Sequence, residues 1–267
     1  MRLPNLIVVG SIKCGTTSLH NYLNMHPDIA MSKIKEVEYF SENYDKPLKW
    51  YLNHFDQQAK IVGETSPHYT FQKDLNIEKI LQRIKSDLPN VKIIYIAREP
   101  YSQLISLYKH AVYYWMERRN VKEVCSIEKG NPYLYNLLHN RNVNQILEHF
   151  SEDKLYTLNV HDLNTNLEFE MNSIFRFLNL DKFDIPQKTK AFNTFEGRKY
   201  LNNFGRKIDL LPSPFCELRK YLPGFLIKTN ETPKLTKRHE AKIEAFFEDD
   251  WNEYLKVKER FQKTYKS

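Results

Sequence analysis

Residues 6–19, Leu-Ile-Val-Val-Gly-Ser-Ile-Lys-Cys-Gly-Thr-Thr-Ser-Leu, constrain the fold more than any other stretch of this chain. The apolar run Leu6 to Val9, rich in β-branched residues and bounded by Gly10, reads as a buried strand. Thr16, Thr17 and Ser18 then supply helix-capping hydroxyls ahead of Leu19, Tyr22 and Leu23 at helical spacing. A strand, a glycine-bounded turn and a helix in that order aim backbone N–H groups, hydroxyls and the positive end of a helix dipole at one point. That point lies near residue 13 and suits a phosphate-sized anion.

Gly10 and Gly15 are separated like the two glycines of G-x-x-x-x-G-K-[ST], the phosphate loop of ATP and GTP enzymes. The residue after Gly15 is Thr16, however, and the lysine stands inside the loop at position 13. In kinases the lysine after the second glycine reaches the outer phosphates, and the next hydroxyl holds Mg²⁺. Lys13 would instead project over a bound 5′ group, and no acidic metal ligand of the Walker type is evident elsewhere. G-x-x-K-x-G-T-[TS] in this setting resembles the 5′-phosphosulfate loop of sulfotransferases that use 3′-phosphoadenosine 5′-phosphosulfate (PAPS). The resemblance implies that Lys13, Cys14, Gly15, Thr16, Thr17 and Ser18 bind the nucleotide, with Lys13 also neutralising the leaving oxygen.

Residues 91–108 form a second strand-to-helix unit, with Arg98 at the strand's carboxyl end, Pro100 in the first helical turn and Ser106 on the helix. Ligands of open α/β sheets bind at that end of a strand. An arginine fork and a helix-borne hydroxyl can hold a second, separate phosphate. Arg98 and Ser106, with seven residues between them, resemble the family's 3′-phosphate signature. Gln103 stands where several relatives carry another arginine, which implies weaker binding of that phosphate.

Lys35-Glu36-Val37-Glu38-Tyr39-Phe40 resembles the Lys-Glu-x-x-Phe-Phe stretch of the glycan and heparan-type branch, in which Glu36 matches the catalytic base. A hydroxyl acceptor must lose its proton as its oxygen attacks sulfur, so a carboxylate within reach serves the chemistry. Glu38 competes for that role, although two residues along an extended segment it would point the opposite way. Gly63 to Tyr69 lines up with a Glu-Lys-[ST]-x-x-Tyr segment, with Thr65 in place of the lysine, leaving Lys13 less help with charge. His68 is either an acceptor-binding residue or a hydrogen-bonded loop histidine. Arg198 and Lys199, after Phe192, fall where the family closes a basic loop over the nucleotide; a solvated basic turn is the alternative.

At 267 residues, with seven glycines and no Gly/Ser-rich tract, the chain reads as one sulfotransferase domain over 1–267. The expected fold is α/β and P-loop-like, three layers with a central parallel sheet flanked by helices. Strands are expected at 5–9, 60–63, 92–97 and 154–160. Helices are expected near 16–25, 47–54, 76–87 (capped by Asp74), 101–116, 134–150, 162–178 and 236–261, with irregular loops over 187–235. A net charge of +7, dispersed among acidic residues, suits polyanionic ligands and gives none of the concentrated basic stripe of a nucleic-acid binder. Three cysteines without a C-x-x-C suggest neither a disulfide framework nor a zinc site. No apolar stretch is long enough for a signal peptide or membrane span, so a complete chain is expected in the cytoplasm and a trimmed Golgi relative in the lumen.

The reading that follows is a PAPS-dependent transfer of the sulfuryl group to a hydroxyl or amine acceptor, with adenosine 3′,5′-bisphosphate as product and no metal. The glycan-branch motif implies a saccharide acceptor. Two other readings remain: an ATP-dependent phosphotransferase, against which Thr16 in place of the lysine counts, and a non-catalytic nucleotide- or glycan-binding protein that would keep Arg98 and Ser106 without needing Glu36.

Overall fold

The computed structural model describes residues 3–56, 58–74, 76–113, 117, 119–186, 199–201, 227–229 and 235–265. Strands β1 (Leu6–Gly10), β2 (Ile29–Met31), β3 (Ile61–Thr65), β4 (Lys92–Ala97) and β5 (Leu155–Asn159) form one sheet in the order β2-β3-β1-β4-β5. Every pairing in it is parallel. Parallel neighbours require crossovers, which is why helices alternate with the strands and cover both faces.

The continuous apolar runs of β1 and β4 follow from that double burial. Ile7, Val9, Ile93 and Tyr95 pack with Ile80, Leu81 and Ile84 of α3 (Glu78–Asp87) on one face. Leu6, Val8, Ile94 and Ile96 pack on the other with Leu19 and Leu23, and with Met171, Ile174 and Phe175 further along the chain. Each fully buried aliphatic or aromatic side chain of this kind contributes about 1.5–3 kcal/mol. The helices that follow in order are α1 (Thr16–Leu23), α2 (Leu48–Leu52), α4 (Pro100–Tyr113), α5 (Val121–Val124) and α6 (Pro132–Tyr135). Then come α7 (His139–Leu147), α8 (Val160–Thr165), α9 (Leu167–Phe177) and the long α10 (Lys237–Lys263).

The four expected strands form within two residues of the expected bounds, and β2 is additional. Its three residues, Ile29-Ala30-Met31, are too few to show a period. The helix expected over 134–150 is two, α6 and α7. Asn136 between them turns its amide to the Pro132 carbonyl, 2.9 Å, and to the Gln72 carbonyl, 2.9 Å. The Asp250 carboxylate of α10 accepts from the Asn140 and Arg141 N–H groups, 3.0 Å each, and so caps α7 from a distant part of the chain. The helix expected over 162–178 breaks at Asn166 into α8 and α9. Asp74 does not cap α3 directly. It accepts from Asn76 N–H, 3.1 Å, and Asn76 in turn accepts from Glu78 N–H, 3.1 Å. Within the stretch expected to be irregular, β6 (Lys199–Leu201) and β7 (Ile227–Thr229) pair antiparallel. Among the described residues no helix is long and apolar enough to cross a membrane.

Candidate active site

The chain leaves β1 towards β2 on one side of the sheet and leaves β4 towards β5 on the other, although β1 and β4 are neighbours. Such a reversal opens a crevice at the carboxyl ends of the two strands. The Gly10–Gly15 loop borders it on one side and Arg98–Glu99 on the other.

In the first loop Lys13 has φ 62° and Gly15 φ 77°. Gly15 is the N-cap of α1, with no side-chain capping bond, so Thr16, Thr17 and Ser18 are its first helical residues rather than its caps. This corrects the expected capping role. It also leaves the first-turn N–H groups without a capping side chain, which is the state in which they can grip an anion. Lys13, Gly15 and Thr17 are partly exposed, whereas Thr16 and Ser18 are buried. The Cys14 thiol is wholly buried, burial pushes its pKa up, and Sγ lies 3.5 Å from the Ile12 carbonyl oxygen. A Cβ on Gly15 would lie 2.8 Å from Val160 Cγ2, so glycine is required there by packing as well as by φ.

The second border is Arg98 followed by α4. Glu99 turns back on the helix, accepting from the N–H groups of Tyr101, 2.8 Å, and Ser102, 2.7 Å. Gln103 is wholly buried and donates to Ser11 Oγ, 2.8 Å, and to the Ile12 carbonyl, 2.6 Å. It therefore ties the first loop to α4. Ser106 and Lys109, three apart, share a helix face. Burial and then the nearby Arg98 guanidinium lower the Lys109 pKa, which marks a cationic neighbourhood that the sequence reading missed. Arg198 lies outside the described residues. Lys199 begins β6, and its side chain is not among those described.

Glu36 and Glu38 both sit in the left-handed region, φ 63° and 54°. Their segment is thus not extended, and the two side chains converge instead of pointing oppositely. Carboxylate oxygens of Glu36 and Glu38 and a His68 ring nitrogen lie within 4.8 Å of one another. Glu36 N–H donates to the Thr65 carbonyl at the end of β3, 2.9 Å. Its carboxylate pairs with the Lys35 ammonium. Burial pushes the Glu36 pKa up, but Lys35, His68 and His110 of α4 outweigh it and the net shift is downward. His68 Nδ1 lies 2.9 Å from Glu38 Oε1, and that bond is the main cause of a raised His68 pKa. Two carboxylates and an imidazole form a donor set for a divalent ion, yet Lys35 and the His68–Glu38 bond already engage it.

Thr65, in the place of the family's lysine, lies 3.1 Å from His20 Nδ1. Burial and the Lys35 charge lower the His20 pKa to about 4, keeping it neutral near pH 7. Glu64 is wholly buried and accepts from Tyr51, 2.7 Å, Tyr69, 3.0 Å, and Ser66, 2.8 Å. Ser66 Oγ accepts from Glu38 N–H, 3.3 Å, and Tyr69 from Phe40 N–H, 3.2 Å. A buried carboxylate therefore anchors the segment that carries Glu36. Nothing in the sequence period signalled it.

A model of the sulfotransferase domain matches residues 3–210. The chain belongs to the sulfotransferase family. This family takes its sulfuryl group from PAPS. The Dictyostelium discoideum membrane-associated sulfotransferase kil1 is 37% identical over 121 residues, covering 43% of this chain and 24% of that protein. The human bifunctional heparan sulfate N-deacetylase/N-sulfotransferase 2 is 27% identical over 222 residues, covering 73% and 24%. Human heparan sulfate glucosamine 3-O-sulfotransferase 5 is 27% identical over 210 residues, covering 73% and 59%. This sulfotransferase chain thus spans between about a quarter and three fifths of the length of these relatives. The fold matches that of a sulfotransferase from Alicyclobacillus acidocaldarius with a TM-score of 0.67 at 20% identity, over 94% of this chain and 93% of the other.

Proposed function

We propose that the chain transfers the sulfuryl group of PAPS to a hydroxyl or amine acceptor by in-line displacement, with Glu36 as general base. The observation that carries this reading is the convergence of Glu36, anchored at the end of β3, with the uncapped α1 N-terminus after β1 and Arg98 after β4. These are three adjacent strand ends of one sheet. The first-turn N–H groups and the hydroxyls of Thr16 and Thr17 suit the 5′-phosphosulfate, and Arg98 with Ser106 suits the 3′-phosphate.

In the reaction the acceptor atom forms a bond to sulfur as the bond from sulfur to the bridging phosphate oxygen breaks. Glu36 takes the acceptor's proton, and adenosine 3′,5′-bisphosphate leaves with the bond's electron pair. Lys13 stabilises the charge that grows on the leaving oxygen. Burial favours the neutral form of Glu36, but Lys35, His68 and His110 outweigh it and hold the carboxylate ionised, the form able to accept a proton, at some cost in basicity. His68, oriented by Glu38, is a second base within the same cluster, favoured by the 2.9 Å bond between them. The two relatives named for heparan sulfate support a saccharide acceptor for this chain.

Transfer from radiolabelled PAPS to desulfated heparan-type saccharides, simple alcohols and amines tests this, with and without Mg²⁺. Saccharide labelling independent of Mg²⁺ is expected. Glu36→Gln should lower kcat by about 10²–10⁴-fold and leave the affinity for adenosine 3′,5′-bisphosphate within about twofold. Wild-type turnover in Glu36→Gln would move the base to His68, and absence of transfer to every acceptor would overturn the activity.

A further inference from the structure

Beneath Arg98 lies a buried chain of hydrogen bonds that the reaction above does not use. His139, the first residue of α7, places Nε2 2.9 Å from the Arg98 carbonyl oxygen and Nδ1 2.7 Å from the Tyr95 hydroxyl. A carbonyl only accepts, so Nε2 carries the proton and Nδ1 offers a lone pair to the Tyr95 O–H. The Asn142 amide donates to that same hydroxyl, 3.1 Å, so every bond in the chain has one permitted direction. His139 is wholly buried, and burial drives its pKa down to about 3, so the ring remains neutral in this tautomer. The rings of Trp251 and Tyr254, with centroids 5.5 Å away, fix its orientation.

The other end of the network reaches the first loop. The Tyr95 ring lies so close to Gly10 that a Cβ there would come within 2.7 Å of Tyr95 Cε2. Arg98 stands just past the last paired residue of β4, where Ala97 opposes Asn159, so the ladder to β5 does not fix its peptide. His139 supplies the donor to that carbonyl. Holding the carbonyl sets the peptide plane from which the arginine side chain departs.

We propose that His139 is a positioning residue for the nucleotide: with Nε2–H donated to the Arg98 carbonyl and Nδ1 held by the Tyr95 hydroxyl, it fixes the Arg98 peptide, and so directs the guanidinium to the 3′-phosphate of the ligand whose 5′ group occupies the Gly10–Gly15 loop. This rests on the nucleotide reading given under Proposed function.

Calorimetry with adenosine 3′,5′-bisphosphate and adenosine 5′-phosphate separates the two claims. Wild-type protein should prefer the bisphosphate by about tenfold or more, one charge-assisted contact. His139→Asn, which lacks a donor at the Nε2 position, should lose most of that preference while its affinity for adenosine 5′-phosphate stays within about twofold. His139→Gln, whose amide reaches the Nε2 position, should keep more of it. Tyr95→Phe removes the hydroxyl that donates to Nδ1, leaves the ring hydrogen-bonded at one end only, and should lower the preference several-fold; it carries the test if His139→Asn does not fold. An unchanged preference in either folded variant, or equal losses for both ligands, overturns the positioning role. Equal wild-type affinities would instead overturn the 3′-phosphate reading, and the inference with it.

Discussion

The Gln103 amide nitrogen lies 2.8 Å from Ser11 Oγ, joining the first turn of α4 to the loop that follows β1. It also donates to the Ile12 carbonyl, 2.6 Å, from a wholly buried position. Gln103→Ala should therefore loosen the 5′ loop and not the 3′ site alone. Calorimetry should show adenosine 5′-phosphate and adenosine 3′,5′-bisphosphate weakened alike, by about 1–3 kcal/mol for the buried groups left unpaired. A loss confined to the bisphosphate would place Gln103 at the 3′-phosphate instead.

Gly15 combines φ 77° with a Val160 side chain only 2.8 Å from where a Cβ would stand. Gly15→Ala should cost about 1–3 kcal/mol in urea unfolding, from left-handed backbone strain and the Val160 contact. Nucleotide binding should fall more steeply than stability, because the same displacement turns the α1 N–H groups from the ligand. Pairing Gly15→Ala with Val160→Ala should recover part of the stability, and no recovery would show that φ alone sets the requirement.

Three buried groups set a pH dependence whose sign can be worked out. His20 and His139 have folded pKa values near 4 and 3 against an ordinary 6.5, so below about pH 6.5 the unfolded chain binds protons that the native one refuses. Each contributes stability that is lost as pH falls. Burial raises Glu64 to about 7 from an ordinary 4.5 despite its three hydroxyl donors, so it acts oppositely, and its contribution is lost as pH rises through that window. Between pH 4.5 and 6.5 the three together leave one histidine's worth, about 1.4 kcal/mol per pH unit, with stability rising towards neutrality. Glu64→Gln should steepen this to about 2.7 kcal/mol per unit. Urea midpoints measured across that range check it, and an unchanged slope would show that Glu64 is ionised throughout.

The bond from Glu38 is the main cause of the raised His68 pKa. Glu38→Gln should lower the His68 pKa, read by NMR titration of the ring. Glu36→Gln should lower it less, since Glu36 acts on His68 only through space. The reverse order would mean that His68 partners Glu36 in solution.

The strand–loop–helix units at residues 6–19 and 91–108 were legible because buried parallel strands and helix starts leave their signal within a dozen neighbouring residues. The positions of Lys13 and Gly15 in the loop after β1, of Arg98 just past β4 and of Ser106 on α4 followed from those units. The convergence of Glu36 and Glu38 did not. Alternation along an extended segment sent them apart, and the two left-handed residues that bring them together have no composition signal, being glutamates and not glycines. Lys109 was legible in hindsight from its helical spacing to Ser106.

The sequence by itself determined four of the five parallel strands and the strand–loop–helix units at residues 6–19 and 91–108, because those depend on local preference and burial period, whereas β2 and the breaks at Asn136 and Asn166 escaped it. Tertiary structure alone decided what holds these residues at working geometry. His139 meets the Arg98 carbonyl across 41 positions, Asp250 caps Arg141 across 109, and Gln103 reaches Ser11 across 92. Hydrogen bonds between such distant residues depend on how the layers pack, and a polar side chain that will be buried and paired looks, in the sequence, like any other.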